Sequence, residues 1–140
     1  MMLRDRVLFG ADQLVAQWVK TRIPYINLSP DLRALGVVHD GDLVAGVVFE
    51  RYNGVHIEAS IAADMHKPWA SRRTLRHLFG YPFLQQKCEA ITVLVPASNL
   101  PSLNLATKLG FEMEALIKYA APDGSPLIVL KQFRDRCRWI

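Results

Sequence analysis

The segment from Asn99 to Glu112 constrains the fold most, because its residues mark both ends of a short helix. Asn99 can cap the first turn, and Pro101 suits an early helical position, where no backbone donor is needed. Gly110 suits the left-handed residue that ends many helices. Apolar stretches lie on both sides, so the sequence predicts a strand–helix–strand crossover, which requires a parallel or mixed sheet.

Composition favours one domain spanning 1–140, because 140 residues with 51% hydrophobic content can build a sizeable core. No apolar run approaches the ~20 residues needed to cross a bilayer, and no signal-peptide pattern is present, so no membrane partner is expected. Cys88, Cys137 and the four scattered histidines lack metal-ligand spacing, so no metal is expected. The two cysteines favour a reducing cytoplasm over a disulfide scaffold.

Helical patterns are predicted in two regions, one after Asp12 and one after Ser71. An apolar run at 7–9 could form a first strand, and Asp12 is then expected to cap a helix. The residues expected on its apolar side are Leu14, Val15, Trp18 and Val19. A loop or a second short helix follows between Pro24 and Pro30. Ser71 is expected to cap a helix toward Lys87, which Gly80 and Pro82 must bend or interrupt.

Alternating apolar residues predict strands in the remaining segments. Three consecutive antiparallel strands are expected at 35–39, 43–50 and 55–62, separated by turns at 40–42 and 52–54. Further strands are expected at 90–95, around 113–119 and at 127–133, with a turn at 122–124 before the last one.

This order of elements, and one motif within it, resemble the GNAT superfamily of acetyl-coenzyme A-dependent N-acetyltransferases. The motif is the spacing of Asn99, Ser102, Leu105, Lys108, Leu109, Gly110 and Phe111. The resemblance implies an α/β (α+β) fold with a mixed, mostly antiparallel central sheet of six or seven strands and helices on both faces. It also implies acetyl-CoA as co-substrate and an amine-bearing small molecule or protein as acceptor. Small phage-encoded members are similar at the segments 69–73, 81–83 and 137–139.

The helix that begins near Ser71 is the first half of the expected cofactor site. Helix N-termini suit phosphate, and Arg72, Arg73 and Arg76 crowd this one, although they could instead form a solvated face. In the resembled superfamily this terminus binds the pyrophosphate of coenzyme A. The matching residues are Trp69, Ser71, Arg72, Arg73 and Thr74, and the segment lacks both glycines of the usual loop.

The resemblance places the pantetheine arm of the cofactor between two splayed strands. The expected backbone contacts come from Ile61, Ala62 and Ala63, with 93–95 opposite. Asn99 could bond the same arm, but its role as a helix cap accounts for it equally well.

Glu58 is the candidate base, because acetyl transfer requires a deprotonated amine and a carboxylate can take the proton directly or through water. The alternative is an exposed strand residue paired with a neighbouring charge, and His56 is the reserve base. The superfamily's usual acid is a tyrosine at the position of Ala106. Ser102 could replace it, although ordinary first-turn helix chemistry explains this serine equally well.

Other readings stay open. The same fold could serve a non-catalytic structural or interaction protein, including a phage virion component. The tail residues Arg134, Arg136, Arg138 and Trp139 could touch nucleic acid or a partner subunit, and the apolar end of the tail could mediate a homodimer. Alternating arginines more often form an exposed face, so nucleic acid is not expected. The acceptor could be a peptide N-terminus, a lysine, a small amine or a nucleotide amine.

Overall fold

The computed structural model describes residues 6–64 and 66–140, which form both helices and strands. In chain order they are β1 (Arg6–Leu8), α1 (Asp12–Arg22), β2 (Arg33–His39), β3 (Asp42–Glu50), β4 (His56–Ala63), α2 (Arg72–Gly80), a π-helical turn (Tyr81–Gln85), β5 (Ala90–Pro96), α3 (Leu100–Leu109), β6 (Glu112–Ile117), β7 (Leu127–Phe133) and a 3₁₀ turn (Arg134–Arg136). In this part of the chain, no helix is long and apolar enough to cross a membrane.

All seven strands join one sheet in the order β1-β2-β3-β4-β5-β7-β6. Neighbours are antiparallel except β4 and β5, so the prediction of a mixed, mostly antiparallel sheet is confirmed. The crossover through α3 does not join neighbouring strands, however, because β7 lies between β5 and β6. The parallel pair is connected by α2 instead, as a parallel pair requires a crossover.

Two apolar clusters cover the sheet. Val47 and Phe49 belong to the larger cluster, whereas Val48 between them belongs to the smaller. Successive side chains of a strand point to opposite faces, so the two clusters lie on opposite sides of the sheet. α1 packs on the smaller cluster, and α2 and α3 pack on the larger, which confirms helices on both faces.

α1 lies close to the sheet because two paired glycines face it. Gly36 of β2 pairs with Gly46 of β3. A Cβ atom at Gly46 would lie 2.8 Å from Cγ2 of Val19 and 3.0 Å from Cγ1 of Val15. Any larger residue would therefore push the helix outward.

Two predictions about α1 are wrong. The N-cap position is Ala11, and the Asp12 carboxylate instead accepts a hydrogen bond of 2.8 Å from the Ala34 backbone N–H in β2. Leu14 is 62% exposed, whereas the predicted Val15 and Val19 are buried together with Ala16. The segment 23–32 is a loop without a second helix.

α2 begins and ends for the reasons its sequence indicates. Ser71 caps it, as predicted. At Pro82 no backbone N–H is available, and the chain continues as a π-helical turn in which Gln86 N–H bonds the Tyr81 carbonyl at 3.0 Å. The helix is interrupted, and it does not run on to Lys87.

The C-terminal tail folds back on the domain. Trp139 and Ile140 pack against the larger cluster, and Trp139 Nε1 donates to the Leu109 carbonyl at 2.8 Å. Arg134 and Arg136 form ion pairs with glutamates of the same chain. The tail therefore packs on its own domain through these contacts.

Candidate functional site

A cleft opens where the parallel strands β4 and β5 separate. They pair only from His56 to Glu58, opposite Ala90 to Thr92. Beyond these residues the two strands and three neighbouring segments enclose a cavity of about 470 Å³. Backbone groups on the separated strands have no partner across the gap, so a ligand with amide groups can bond them. The cavity is lined by residues 59–64 at the end of β4 and by residues 93–95 of β5. It is also lined by Asn99, Ser102, Leu105 and Ala106 near or in α3, and by Arg22, Tyr25 and Ile26 at the end of α1 and in the following loop.

The structure brings five of the predicted site residues to this cavity, and they are Ile61, Ala62, Ala63, Asn99 and Ser102. Glu58 lies just outside the cavity, at the last residue of β4 that pairs with β5. The predicted phosphate-binding residues lie at the start of α2 and do not line the cavity.

α3 presents one hydroxyl group to the cavity. Asn99 caps the helix through its Oδ1, which accepts from the Ser102 N–H at 3.2 Å. The Ser102 hydroxyl bonds no other residue in the described part of the chain and is available to a ligand. Ala106 is buried in the same wall and has no proton to supply.

Glu58 is held by an arginine. The Arg51 Nη1 lies 2.8 Å from Glu58 Oε2 and 3.6 Å from Glu50 Oε1, and the Glu58 side chain is 31% exposed. Ser60, two residues along the same face of β4, lines the cavity. Two strand residues span about 7 Å, so the carboxylate side chain and one bridging water can connect Glu58 with the cavity.

His56 lies on the same face as Glu58 and contacts β5. Its Nε2 is 2.5 Å from Thr92 Oγ1. Burial lowers the pKa of His56, and the nearby Lys131 lowers it further against the opposing influence of Glu58 and Glu114. The imidazole is therefore neutral at pH 7, the form that accepts a proton.

The N-terminus of α2 keeps two unused backbone donors. Ser71 Oγ accepts from the Thr74 N–H at 3.1 Å, and Leu75 N–H makes the first backbone bond, to the Ser71 carbonyl at 2.9 Å. The N–H groups of Arg72 and Arg73 consequently have no partner within the helix.

Trp69 and Thr74 have structural surroundings. The Trp69 side chain is 5% exposed and lies in the larger cluster, so only its backbone can contact a bound molecule. Thr74 is 2% exposed, and its Oγ1 accepts from the Ser71 hydroxyl at 3.0 Å.

Three arginines add positive charge to the start of α2. Arg72, Arg73 and Arg76 are exposed, and within residues 6–64 and 66–140 none lies within 4.0 Å of a carboxylate. Arg72 Nη2 donates to the Arg138 carbonyl of the tail at 3.4 Å. An anion bound at the start of α2 would offset the repulsion between these cations and the positive end of the helix macrodipole.

Sequence reasoning missed one residue of the cleft, Tyr25, and the influence of Asp123 on its phenol. Tyr25 lines the cavity, and burial, together with the nearby Asp123 carboxylate, raises the pKa of its phenol. Tyr25 follows α1, whereas Asp123 lies between β6 and β7, so no local pattern indicates that the carboxylate influences the phenol. Among the described residues, no group of His, Cys, Asp or Glu is arranged to hold a metal ion.

No protein-family model and no curated protein sequence matches the chain. Solved structures do match. A GNAT-family acetyltransferase from Bacillus anthracis gives a TM-score of 0.62 at 20% identity, over 74% of this chain and 67% of that one. Mutant forms of the spermidine/spermine N-acetyltransferase SpeG from Vibrio cholerae give a TM-score of 0.74 at 14% identity, over 96% of this chain and 95% of theirs. Another SpeG mutant gives a TM-score of 0.76 at 14% identity.

The chain has the GNAT fold. The expected fold class is thereby confirmed, while similarity to phage-encoded members finds no support in these structures. At such low identities the likeness extends to the fold alone, and the activity has to be inferred from the residues of the cleft.

Proposed function

We propose that this protein is an N-acetyltransferase that moves an acetyl group from acetyl-CoA to a primary amine by direct attack in a ternary complex. The observation that supports this most strongly is the cavity of about 470 Å³ between the separated ends of β4 and β5. A chain with no ligand to place there would gain by continuing the β4–β5 ladder, because unpaired backbone groups cost free energy.

The residues around the cleft suit coenzyme A. Its phosphates are anions, and Arg72 and Arg73 offer both side-chain charge and free backbone N–H groups. Its pantetheine arm carries amides, which the unpaired backbone at Ile61–Ala63 and the Asn99 side chain can bond. The bulky residues that replace the usual loop glycines keep the backbone farther from a phosphate, so we assign more of the binding to the two guanidinium groups.

The reaction forms a C–N bond and breaks a C–S bond. When bound, acetyl-CoA supplies the acetyl group as a thioester. The acceptor must be a neutral amine, and we assign removal of its proton to Glu58 through a bridging water, with Arg51 orienting the carboxylate. His56 is the reserve base because it is neutral at pH 7. The departing sulfur takes a proton from Ser102 or from water.

The first test is acetyl-CoA binding by calorimetry. Arg72→Ala and Arg73→Ala should each weaken affinity by about fivefold, since each removes one charge-assisted contact to phosphate. Arg136→Ala is the matched control, because this exposed arginine pairs with Glu112 and stacks on Phe133, and neither residue lines the cleft. No binding at millimolar acetyl-CoA would refute the proposal.

The second test is release of free thiol in the presence of amines. Glu58→Gln keeps the shape of the side chain and should lower kcat by about 100-fold while leaving acetyl-CoA affinity unchanged. Unchanged turnover would exclude Glu58 as the base, and the turnover of His56→Gln would then be measured to test the reserve base. Spermidine is the first acceptor to assay, because SpeG is named for it, and lysine and peptide N-termini follow.

A second candidate is a non-catalytic structural or interaction protein, including a virion component. Ala106 in the wall of the cleft favours it, since no tyrosine is available there as an acid. Acetyl-CoA binding without turnover on any amine would support this candidate. For the transferase we propose the cytoplasm, because both cysteines are free and buried, as in a reducing compartment.

A further inference from the structure

β6 is an edge strand with a bare outer side. It ends the strand order of the sheet and has only β7 as a neighbour. All six of its residues are exposed, and in the described part of the chain none of its backbone groups bonds a loop or a side chain. The N–H and C=O groups that point outward from such an edge can pair with another strand.

Large hydrophobic side chains are exposed along this edge. Met113 is 68% exposed and Tyr119, two residues after the strand, is 87% exposed, while Leu116 and Ile117 are about half exposed. Soluble proteins rarely leave neighbouring apolar side chains in water unless they bind a partner. Leu116 and Ile117 are successive strand residues, so their side chains lie on opposite faces of the sheet. A strand that continues the sheet can cover both faces, whereas a helix can cover only one.

The regular part of β6 has a definite centre. Its register with β7 shifts between Met113 and Ala115, so residues 115–117 form the regularly paired part, with Leu116 in the middle. We propose that β6 pairs antiparallel with β6 of a second copy of this chain, around a twofold axis at Leu116, so that the two sheets become one. β5 and β7 separate this edge from β4 and the cleft, so the inference does not rest on the proposed function.

Pairing around this axis brings complementary side chains together. Glu114 lies opposite Lys118 of the second copy, and Met113 lies opposite Tyr119 of the second copy. In the described part of the chain Lys118 has no carboxylate within 4.0 Å. Glu114 contacts Lys131 through its Oε2 at 3.0 Å, which leaves its Oε1 for a second cation. One strand carries both halves of each match, which favours a second copy over an unlike protein.

The test is sedimentation velocity of the full chain at concentrations from about 1 to about 500 µM. Dimers should form with a dissociation constant of roughly 50 µM, because an interface of one short strand on each side is small. Leu116→Lys places two lysines against each other at the axis and should weaken the dimer at least about tenfold. Leu84→Lys makes the same change at an exposed leucine in the π-helical turn and should leave the dimer unchanged.

A charge exchange tests the register. Glu114→Lys and Lys118→Glu each set like charges opposite one another, so each variant alone should dimerise about fivefold more weakly. An equimolar mixture of the two variants should form a heterodimer with the affinity of the natural chain, because every charge then faces its opposite. Damage to the fold of either variant could not produce this recovery, and so the mixture controls for it.

Three outcomes would overturn the proposal. They are a chain that stays monomeric at about 500 µM, a dimer that Leu116→Lys does not weaken, and a mixture of the charge variants that associates no better than either alone. The first would leave the edge of β6 to a partner other than this chain. Acetyl-CoA does not enter the measurement, so the result holds whether or not the chain is a transferase.

Discussion

Gly110→Ala should destabilise the domain by a magnitude that follows from two features of this position. Gly110 ends α3 with φ of 102°, a left-handed conformation that costs an alanine roughly 1–2 kcal/mol. A Cβ atom there would also lie 2.9 Å from Nε2 of Gln132. Gln132 is 2% exposed, and the same Nε2 donates to the Leu109 carbonyl at 2.9 Å, so it cannot move without losing that bond.

The two effects add to about 3 kcal/mol. The backbone cost is reduced by about 0.5 kcal/mol, because alanine restricts the unfolded chain. Disturbing a buried hydrogen bond adds about 2 kcal/mol. Gly124→Ala is the matched control, since Gly124 has φ of 85° but nothing within 4 Å of an added Cβ atom. Gly124→Ala should lower the unfolding free energy only by the net cost of the left-handed backbone, about 1 kcal/mol.

Urea unfolding at equilibrium, followed by circular dichroism, measures both free energies. In a Gln132→Ala background, Gly110→Ala should cost no more than Gly124→Ala, because the crowded amide is gone and Trp139 Nε1 still bonds the Leu109 carbonyl. Equal destabilisation by Gly110→Ala and Gly124→Ala in the natural sequence would refute the reasoning.

Three further changes test other parts of the structure. The folded state lowers the pKa of His56, so the contribution of the neutral imidazole to stability is present above pH about 6.5 and is lost as the pH falls. His56→Gln should therefore flatten the fall in unfolding free energy between pH 7 and 5. His66→Gln, at an exposed position, should not. Ser71→Ala should lower the unfolding free energy by about 1 kcal/mol in urea, and Ser71→Asp should restore it, because only the latter replaces the cap. Trp139→Phe keeps an aromatic ring but removes the bond to Leu109 and part of the packing of the indole, so a loss of at least about 1 kcal/mol is expected; no change would show that neither contributes.

Local signals explain why much of the fold could be predicted. Ser71 and Asn99 cap helices, and Gly110 ends one, because each decides the conformation within a few residues of itself. The hairpin at Asp40-Gly41 has positive φ at both residues, as its sequence indicates. The burial of Val15 and Val19 in α1 could also be predicted, whereas the exposure of Leu14 could not, because it depends on how the helix packs on later strands.

The candidate site could be predicted only in part, for the same physical reason. Ile61–Ala63, Asn99 and Ser102 share a cavity because the fold places β4, β5 and α3 together, and the resemblance supplied that fold. The ion pair between Arg51 and Glu58, the burial of Trp69, and the influence of Asp123 on the Tyr25 phenol depend on tertiary packing. No spacing along the chain encodes these features.

The position of β7 has a consequence for how the domain is made. It is the last strand in sequence, yet it pairs with β5 and β6 along almost their whole lengths. Until residues 127–133 leave the ribosome, β5 has a bare edge and β6 has no partner at all. Such edges pair readily with other chains, so a nascent or prematurely terminated chain is most prone to aggregation at the strands that carry one wall of the cleft. The half of the sheet that carries the cleft is thus completed in a single late step, and the interval before it is when a chaperone would matter most.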